Sequence, residues 1–262
     1  MSGLVDRLTH TLSQALPRPG RAPEQPLSAR LAAVAALVPK GARLADVGTD
    51  HGWLPVHLVY DKHVPQAIAA DVKPGPLEGA RERVRAHRLE ARIELRLGNG
   101  LQVLSPGEVA AVTIAGMGGK RIADLVAAAP EVVHKLDRLV VQPNTDVPLV
   151  RRALRGAGLR LVDEQLLHHE GRWYTTLAWT PGVDDTEWTD ADLRFGPLLR
   201  ARAAPALRRR LSDELSRVAR ILAKATHQGA SAASLRDKHD ELAAIEDELA
   251  RLALVAKQIR KA

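Results

Sequence analysis

The sequence predicts an α/β fold of the doubly wound kind, followed by a C-terminal helical hairpin. Three observations carry this. Short apolar runs of strand length alternate with helical stretches from residue 43 to residue 142, the pattern of βαβ units around a mostly parallel sheet. Strand signals stop after Thr180. Beyond that point apolar residues recur at alternating intervals of four and three, the rhythm of helices packed along a seam.

The elements follow in order. Residues 1–26 end in ALPRPGRAPEQP, whose four prolines cannot continue a helix, so this stretch is expected to be a flexible tail. From Leu27, LSARLAAVAALVP reads as a helix capped by Ser28 and stopped at Pro39. Strands are expected at 43–47, 67–71, 93–97, 111–115 and 138–142, and an antiparallel edge pair at 160–165 and 174–179. A first domain is therefore placed at 27–182 and a helical one at 183–262. In the latter, Leu211, Leu215, Val218, Leu222 and Ala225 form one seam and Leu242, Ile245, Leu249, Leu252, Ala256 and Ile259 a second, with a polar break at 227–231.

Composition narrows the function. The chain has 262 residues, 38 Lys+Arg against 31 Asp+Glu, and a net charge of +7, which favours a polyanionic partner. From Leu198 onward there are 14 Lys/Arg and 8 Asp/Glu, so most of the excess charge lies in the hairpin. Four Trp, two Tyr and one Phe are too few for a groove that stacks many bases, so a nucleic acid would be held mainly through phosphates. No cysteine is present, which excludes thiolate metal sites, disulfides and Cys nucleophiles. His168, His169 and Glu170 are not a metal cluster, because adjacent strand residues point to opposite faces, and no metal is expected. In the same edge hairpin, Trp173 is expected in the core. No apolar run reaches the roughly 18 residues of a membrane span, and the first twenty residues lack a secretory pattern, so a cytoplasmic protein is expected.

In a doubly wound sheet, ligands collect at the C-terminal ends of the strands. The first strand ends in ADVGTDHG (45–52), where Gly48 and Gly52 allow a tight turn and Asp46 suits the ammonium group of a cofactor with an amino-acid tail. This is not the closely spaced glycine fingerprint of a dinucleotide site, so a dehydrogenase ranks last. The second strand ends in Asp71, whose carboxylate can accept from both ribose hydroxyls of a nucleoside. The third leads to Gly98, Asn99 and Gly100, which let the chain pass close to an adenine ring. The fourth gives IAGMGGK (114–120), a glycine-dense loop opening a helix, without the spacing of a P-loop. The fifth ends in Gln142, Pro143 and Asn144. Each feature has an ordinary use as a turn or cap; three of them in register behind three strands point to a nucleoside-containing cofactor.

Together LADVGTDHGWLP, RLGNGL, IAGMGG, QPN and FGPLL (195–199) resemble the bacterial tRNA adenine-N1 methyltransferases that modify position 22 in the D-arm. The resemblance runs from about Leu27 to the C-terminus. It implies a Rossmann-like class I methyltransferase domain, S-adenosylmethionine as methyl donor, tRNA as substrate and a helical coiled-coil domain that helps hold it. Matched to this pattern, the cofactor site comprises Asp46, Gly48, Asp71, Gly98, Asn99, Gly100, Ala115, Gly116, Met117 and Gly118. Gly52 and Trp53 stand where family members often have Ala-Tyr, and Asp71 where they have Glu.

Methylation at N1 needs the base-pairing edge exposed and little base catalysis, so alignment dominates. Asp50 is the first candidate to accept from the exocyclic amine, with His51 to shuttle the proton or hold Asp50, and Asn144 and Gln142 to read the adenine edge. Each also has a plain structural role as a cap, turn or hydrogen-bonding residue. Arg200, Arg202, Arg208, Arg209, Arg210, Arg217 and Arg220 are the expected phosphate-binding surface. A monomer is the expected state. Two alternatives stay open: a methyltransferase for a small molecule or protein whose hairpin dimerises, and a non-catalytic RNA-binding protein that keeps a nucleoside pocket.

Overall fold

The computed structural model describes residues 20–23, 25–227 and 231–260, and the fold separates into two compact units. The first comprises residues up to Asp163 together with Thr176–Asp184; the second comprises Glu164–Thr175 and residues from Asp185 onward.

In the first unit, helix α1 (Ala29–Ala35) begins at Ser28, whose hydroxyl accepts from the Leu31 amide at 3.3 Å. It ends earlier than the apolar pattern suggested. The residue before a proline is pushed out of the helical region, and the Leu37 and Val38 amides turn back to Val34 and Ala35 in a tightened last turn. Strands β1 (Leu44–Val47), β2 (Ala67–Asp71), β3 (Ile93–Leu97), β4 (Ala111–Gly118) and β5 (Arg138–Thr145) form the parallel part of the sheet. Helices α2 (Trp53–Tyr60), α3 (Pro74–Ala86), α4 (Gly119–Ala127), α5 (Pro130–Val133) and α6 (Val147–Gly156) fall between the strands.

The sheet order is β3-β2-β1-β4-β5-β7-β6, with β6 (Leu159–His169) and β7 (Arg172–Pro181) at one edge and β7 antiparallel to β5. All four residues of β1 are buried, as befits a central parallel strand covered on both faces. Chain order reverses between β1 and β4, and that is where a crevice opens.

Two expectations of chain course are corrected here. The IAGMGG segment is not a loop: β4 continues to Gly118, irregular in register at Met117, with Gly116 at φ +77° supplying the bulge, and α4 starts only at Gly119. Residues 20–26 were assigned to a flexible tail, yet their described part is docked. The Gly20 amide donates to the His87 carbonyl (2.7 Å), the His87 ring pairs with the Arg21 carbonyl (2.7 Å), and the His57 ring pairs with the Gln25 carbonyl (2.8 Å). Proline prevents helix there, but it does not prevent extended backbone from docking through its carbonyls. Residues 1–19 of the expected tail lie outside the described residues.

The second unit contains the outer part of the β6/β7 hairpin, turned by Glu170 and Gly171 with left-handed φ, and helices α7 (Asp190–Phe195), α8 (Pro197–Ala201), α9 (Pro205–His227) and α10 (Ala232–Ile259). Trp173, expected in the core, is half-buried with its ring 4.7 Å from that of His168. Thr189 and Asp192 form a reciprocal capping box at α7. Buried Glu164 accepts from the Leu198 and Leu199 amides at 2.7 and 2.9 Å, satisfying the start of α8.

Helices α9 and α10 pack along most of the expected seams: Leu211, Val218, Ile245 and Leu252 are fully buried together with Leu207, and Leu215, Leu242, Leu249 and Ala256 pack against them, whereas Ile259, expected in the second seam, is exposed and Leu222 and Ala225 lie outside this cluster. A fully buried Leu or Ile contributes about 2 kcal/mol, against about 0.2–1 kcal/mol for each exposed ion pair, so the seam rather than its charged rim holds the hairpin. Residues 228–230 of the expected polar break lie outside the described residues. Among the described residues no helix is long and apolar enough to cross a membrane.

Candidate active site

The C-terminal ends of β1, β2 and β4 surround a cavity of about 360 Å³. Asp46 reaches it from β1. Its carboxyl is 4% exposed and accepts from the Thr113 hydroxyl at 2.6 Å, across the β1/β4 pair. Burial pushes the Asp46 carboxyl above the ordinary Asp range, against the opposing hydrogen bond from Thr113. The buried Thr49 hydroxyl, on the same wall, also acts on this carboxyl and opposes the effect of burial. A buried acid backed only by neutral hydroxyls suits a cationic, hydrogen-bonding ligand.

Asp71 closes β2 on the opposite side of the loop. Its Oδ2 accepts from the Asp50 amide (3.2 Å) and its Oδ1 from the Lys73 amide (2.9 Å), which fixes the carboxylate while both oxygens keep lone pairs. The glycines let the cavity wall close tightly on itself. A Cβ on Gly48 (φ +72°) would collide with Met117 Cε, and one on Gly100 (φ +61°) with a methyl of Leu125. These features fit S-adenosylmethionine: Asp46 for an ammonium, Asp71 for ribose hydroxyls, and Gly98 and Gly100 for the flat purine.

The β4 bulge is held from β5. Gln142 is fully buried; its Oε1 accepts from Arg30 Nη1 (2.8 Å) and the Gly116 amide (3.2 Å), and its Nε2 donates to the Pro143 carbonyl (2.9 Å). Asn144 Nδ2 donates to the Gly116 carbonyl at 2.8 Å. Gln142 and Asn144 thus grip both polar groups of Gly116, which sets the position of Ala115 and Met117 in the cavity wall.

Of the residues selected from sequence, the cavity brings together Asp46, Gly48, Asp50, Asp71, Gly98, Gly100, Ala115, Gly116 and Met117. Asn99, Gly118, His51, Gln142 and Asn144 lie outside that lining. Asn99 Oδ1 accepts from Arg121 at 2.6 Å, and the His51 ring lies 3.6 Å from the Asp50 carboxylate. Asp50 adopts φ +54° with an exposed side chain at the cavity, a conformation Asp tolerates better than most residues.

Sequence reasoning missed Arg30, Thr49, Lys73 and Arg121, all of which line the cavity, as does Trp53, which it had marked only as a departure from the family pattern. Arg30 left a signal, a single cation in the otherwise apolar ARLAAVA helix; Arg121 left none, since its role depends on how α4 meets the Asn99 turn.

In the helical unit, Arg208 and Arg209 are exposed on α9, whereas Arg210 is half-buried with Nε 4.0 Å from Glu214. Arg200, expected on the phosphate-binding surface, is corrected: it is buried in an ionic cluster with Asp192 and Glu248. A guanidinium one helix before the hairpin is drawn inward because α10 presents an acid to it.

A methyltransferase-domain family matches residues 27–177. The tRNA (adenine(22)-N(1))-methyltransferase of Bacillus subtilis (strain 168) is 36% identical over 176 residues, which is 67% of this chain and 74% of that protein. Two solved structures are similar over nearly their whole length. The B. subtilis M1A22 tRNA methyltransferase TrmK matches with TM-score 0.72 and 32% identity, covering 88% of this chain and 99% of that one. Sp1610 of Streptococcus pneumoniae in complex with S-adenosyl-L-methionine matches with TM-score 0.76 and 32% identity, covering 86% of this chain and all of that one.

Proposed function

Because the chain belongs to the methyltransferase-domain family and, within it, to the tRNA (adenine(22)-N(1))-methyltransferases, we propose that it transfers a methyl group from S-adenosylmethionine to N1 of adenine 22 in tRNA. The observation that carries this reading is the placement of two acids of different character on one cavity at the β1/β4 reversal: Asp46 buried and without a cationic hydrogen-bond partner, Asp71 held open by two backbone amides.

S-adenosylmethionine supplies an electrophilic methyl group. Asp46 binds its ammonium end, Asp71 accepts from its ribose, and the Gly98 and Gly100 turn admits its adenine. Asn99 and Gly118 flank the cavity, Asn99 accepting from Arg121, which itself lines it. The adenine N1 lone pair is itself the nucleophile, so the protein's contribution is alignment and stabilisation of the positive charge that spreads into the purine. Asp50, exposed at the cavity, accepts from the exocyclic amine. His51 holds Asp50, while Gln142 and Asn144 position the Gly116 bulge rather than touch the base.

Target tRNA is held through phosphates by α9, which carries six Lys/Arg against two Asp/Glu, whereas α10 carries four against six. Arg208 and Arg209 are its exposed contacts. The protein acts as a cytoplasmic monomer in this reading.

The test is incubation with S-adenosylmethionine and two tRNA transcripts, one with A and one with G at position 22, followed by nucleoside mass spectrometry. 1-Methyladenosine from the first transcript alone is expected. A protein that binds the cofactor yet methylates neither, or both equally, would sink this assignment.

A further inference from the structure

The turn that presents Asp50 is strained at one residue. Gly48, Asp50 and Gly52 all adopt left-handed φ within five residues, free of steric cost at the glycines but not at Asp50; the Gly48 and Thr49 amides donate to the Ala70 carbonyl and the Gly52 amide to the Thr49 carbonyl, while the Asp50 amide donates to the Asp71 carboxylate at 3.2 Å. Helix α3 adds side-chain contacts to the same turn. Gly79 leaves the space that the His51 ring fills, since a Cβ there would collide with His51 Nδ1, and Ala80 Cβ lies 3.0 Å from where a Cβ on Gly52 would stand. One turn later Arg83 closes over the same segment. Its Nη1 donates to the His51 carbonyl, its guanidinium lies 3.6 Å from the centroid of the Trp53 ring, and its charge acts on Asp50. A single side chain thus engages three of the four residues from Asp50 to Trp53, two of which line the cavity.

We propose that Arg83 is a positioning residue for methyl transfer, a clamp that fixes the Asp50 turn and the Trp53 wall against α3 and so sets the approach of the target base. This rests on reading the site as a methyltransferase. Arg83 has no place in the cavity lining itself, and its action is indirect, through the His51 carbonyl and the Trp53 ring. Its signature is therefore a loss of turnover without a loss of cofactor binding.

The experiment compares wild-type protein with Arg83→Ala and Arg83→Lys by hydrogen exchange over residues 48–53 without cofactor, by calorimetric titration with S-adenosylmethionine, and by steady-state kinetics with tRNA. In Arg83→Ala, exchange should be about tenfold faster and kcat about tenfold lower, with the cofactor Kd and the tRNA KM within about twofold of wild type. Arg83→Lys keeps the charge but cannot lie flat on the indole, so its exchange and kcat should fall between the two. Unchanged exchange and kcat in Arg83→Ala, or a fall in kcat matched by an equal loss of cofactor affinity, would overturn the clamp. The exchange measurement stands even if wild-type protein fails to methylate tRNA, in which case the functional reading fails and not the clamp.

Discussion

Two carboxylates are almost equally inaccessible to solvent, one in each unit, with Asp46 the more deeply enclosed, and they have opposite surroundings. Asp46 in the sheet unit is 4% exposed and Glu248 in the helical unit is 5% exposed. Asp46 receives a neutral hydroxyl and faces a cavity; Glu248 receives Arg200 at 2.8 and 2.9 Å and Arg251 at 2.7 Å. Burial opposes ionisation at both. At Asp46 it prevails and the carboxyl is pushed up, whereas at Glu248 the hydrogen bonds from Arg200 and Arg251 outweigh it and the carboxyl is held below the ordinary Glu range. The difference separates a binding site from a structural joint. A buried acid already matched by cations holds the fold together, while one left without them stores an affinity for a cationic ligand.

This contrast has testable consequences, of which the largest concerns Glu248. Replacing it with Gln takes the charge out of its hydrogen bonds to Arg251 and to Arg200, which keeps Asp192 as a partner, and should cost the helical unit about 3 kcal/mol, read as an earlier transition in urea followed by circular dichroism. Asp46→Asn should do the reverse: the cofactor-free protein keeps or gains stability, because an unmatched buried charge is removed, while affinity for S-adenosylmethionine falls about 10- to 100-fold as a charge-assisted hydrogen bond is lost. If Asp46→Asn destabilised the protein and spared cofactor affinity, the comparison would collapse.

A smaller effect separates the two helices of the hairpin. Arg208→Glu with Arg209→Glu on α9 should weaken tRNA binding about tenfold and reduce the salt slope by about 2, whereas Arg236→Glu with Lys257→Glu on α10 should change affinity by about threefold at most. Equal losses in a filter-binding titration would assign the RNA to both helices.

The smallest is a matter of order on acidification. A raised folded pKa means that Asp46 protonates above the ordinary Asp value, so cofactor affinity should fall first as pH is lowered. A depressed folded pKa means that Glu248 contributes stability that is present above the ordinary Glu value of about 4.3 and is lost only as pH falls further, through its folded value. Glu108, held by Arg96 and lowered to about 2, gives the sheet unit a similar reserve between about 4.3 and 2. Titration of cofactor affinity alongside stability should therefore show affinity lost while both units are still folded.

The sequence by itself determined the alternation of strands and helices, most of the two helical seams and the acids and glycines at the strand ends. These are properties of local spacing: a period of two or of about 3.6 names the element, and a glycine or carboxylate just after a strand is delivered to the sheet's C-terminal edge whatever surrounds it. Tertiary structure alone decided which polar groups were spent and which were left over. Gln142 and Asn144 are taken up by Gly116, Arg200 is drawn in against α10, Arg21 and Gln25 are docked through His87 and His57, and Arg30 and Arg121 are brought to the cavity. Such pairings join residues as far as 112 positions apart. No periodicity encodes them, because a hydrogen bond depends on distances of a few ångströms that are fixed only once the helices have packed on the sheet.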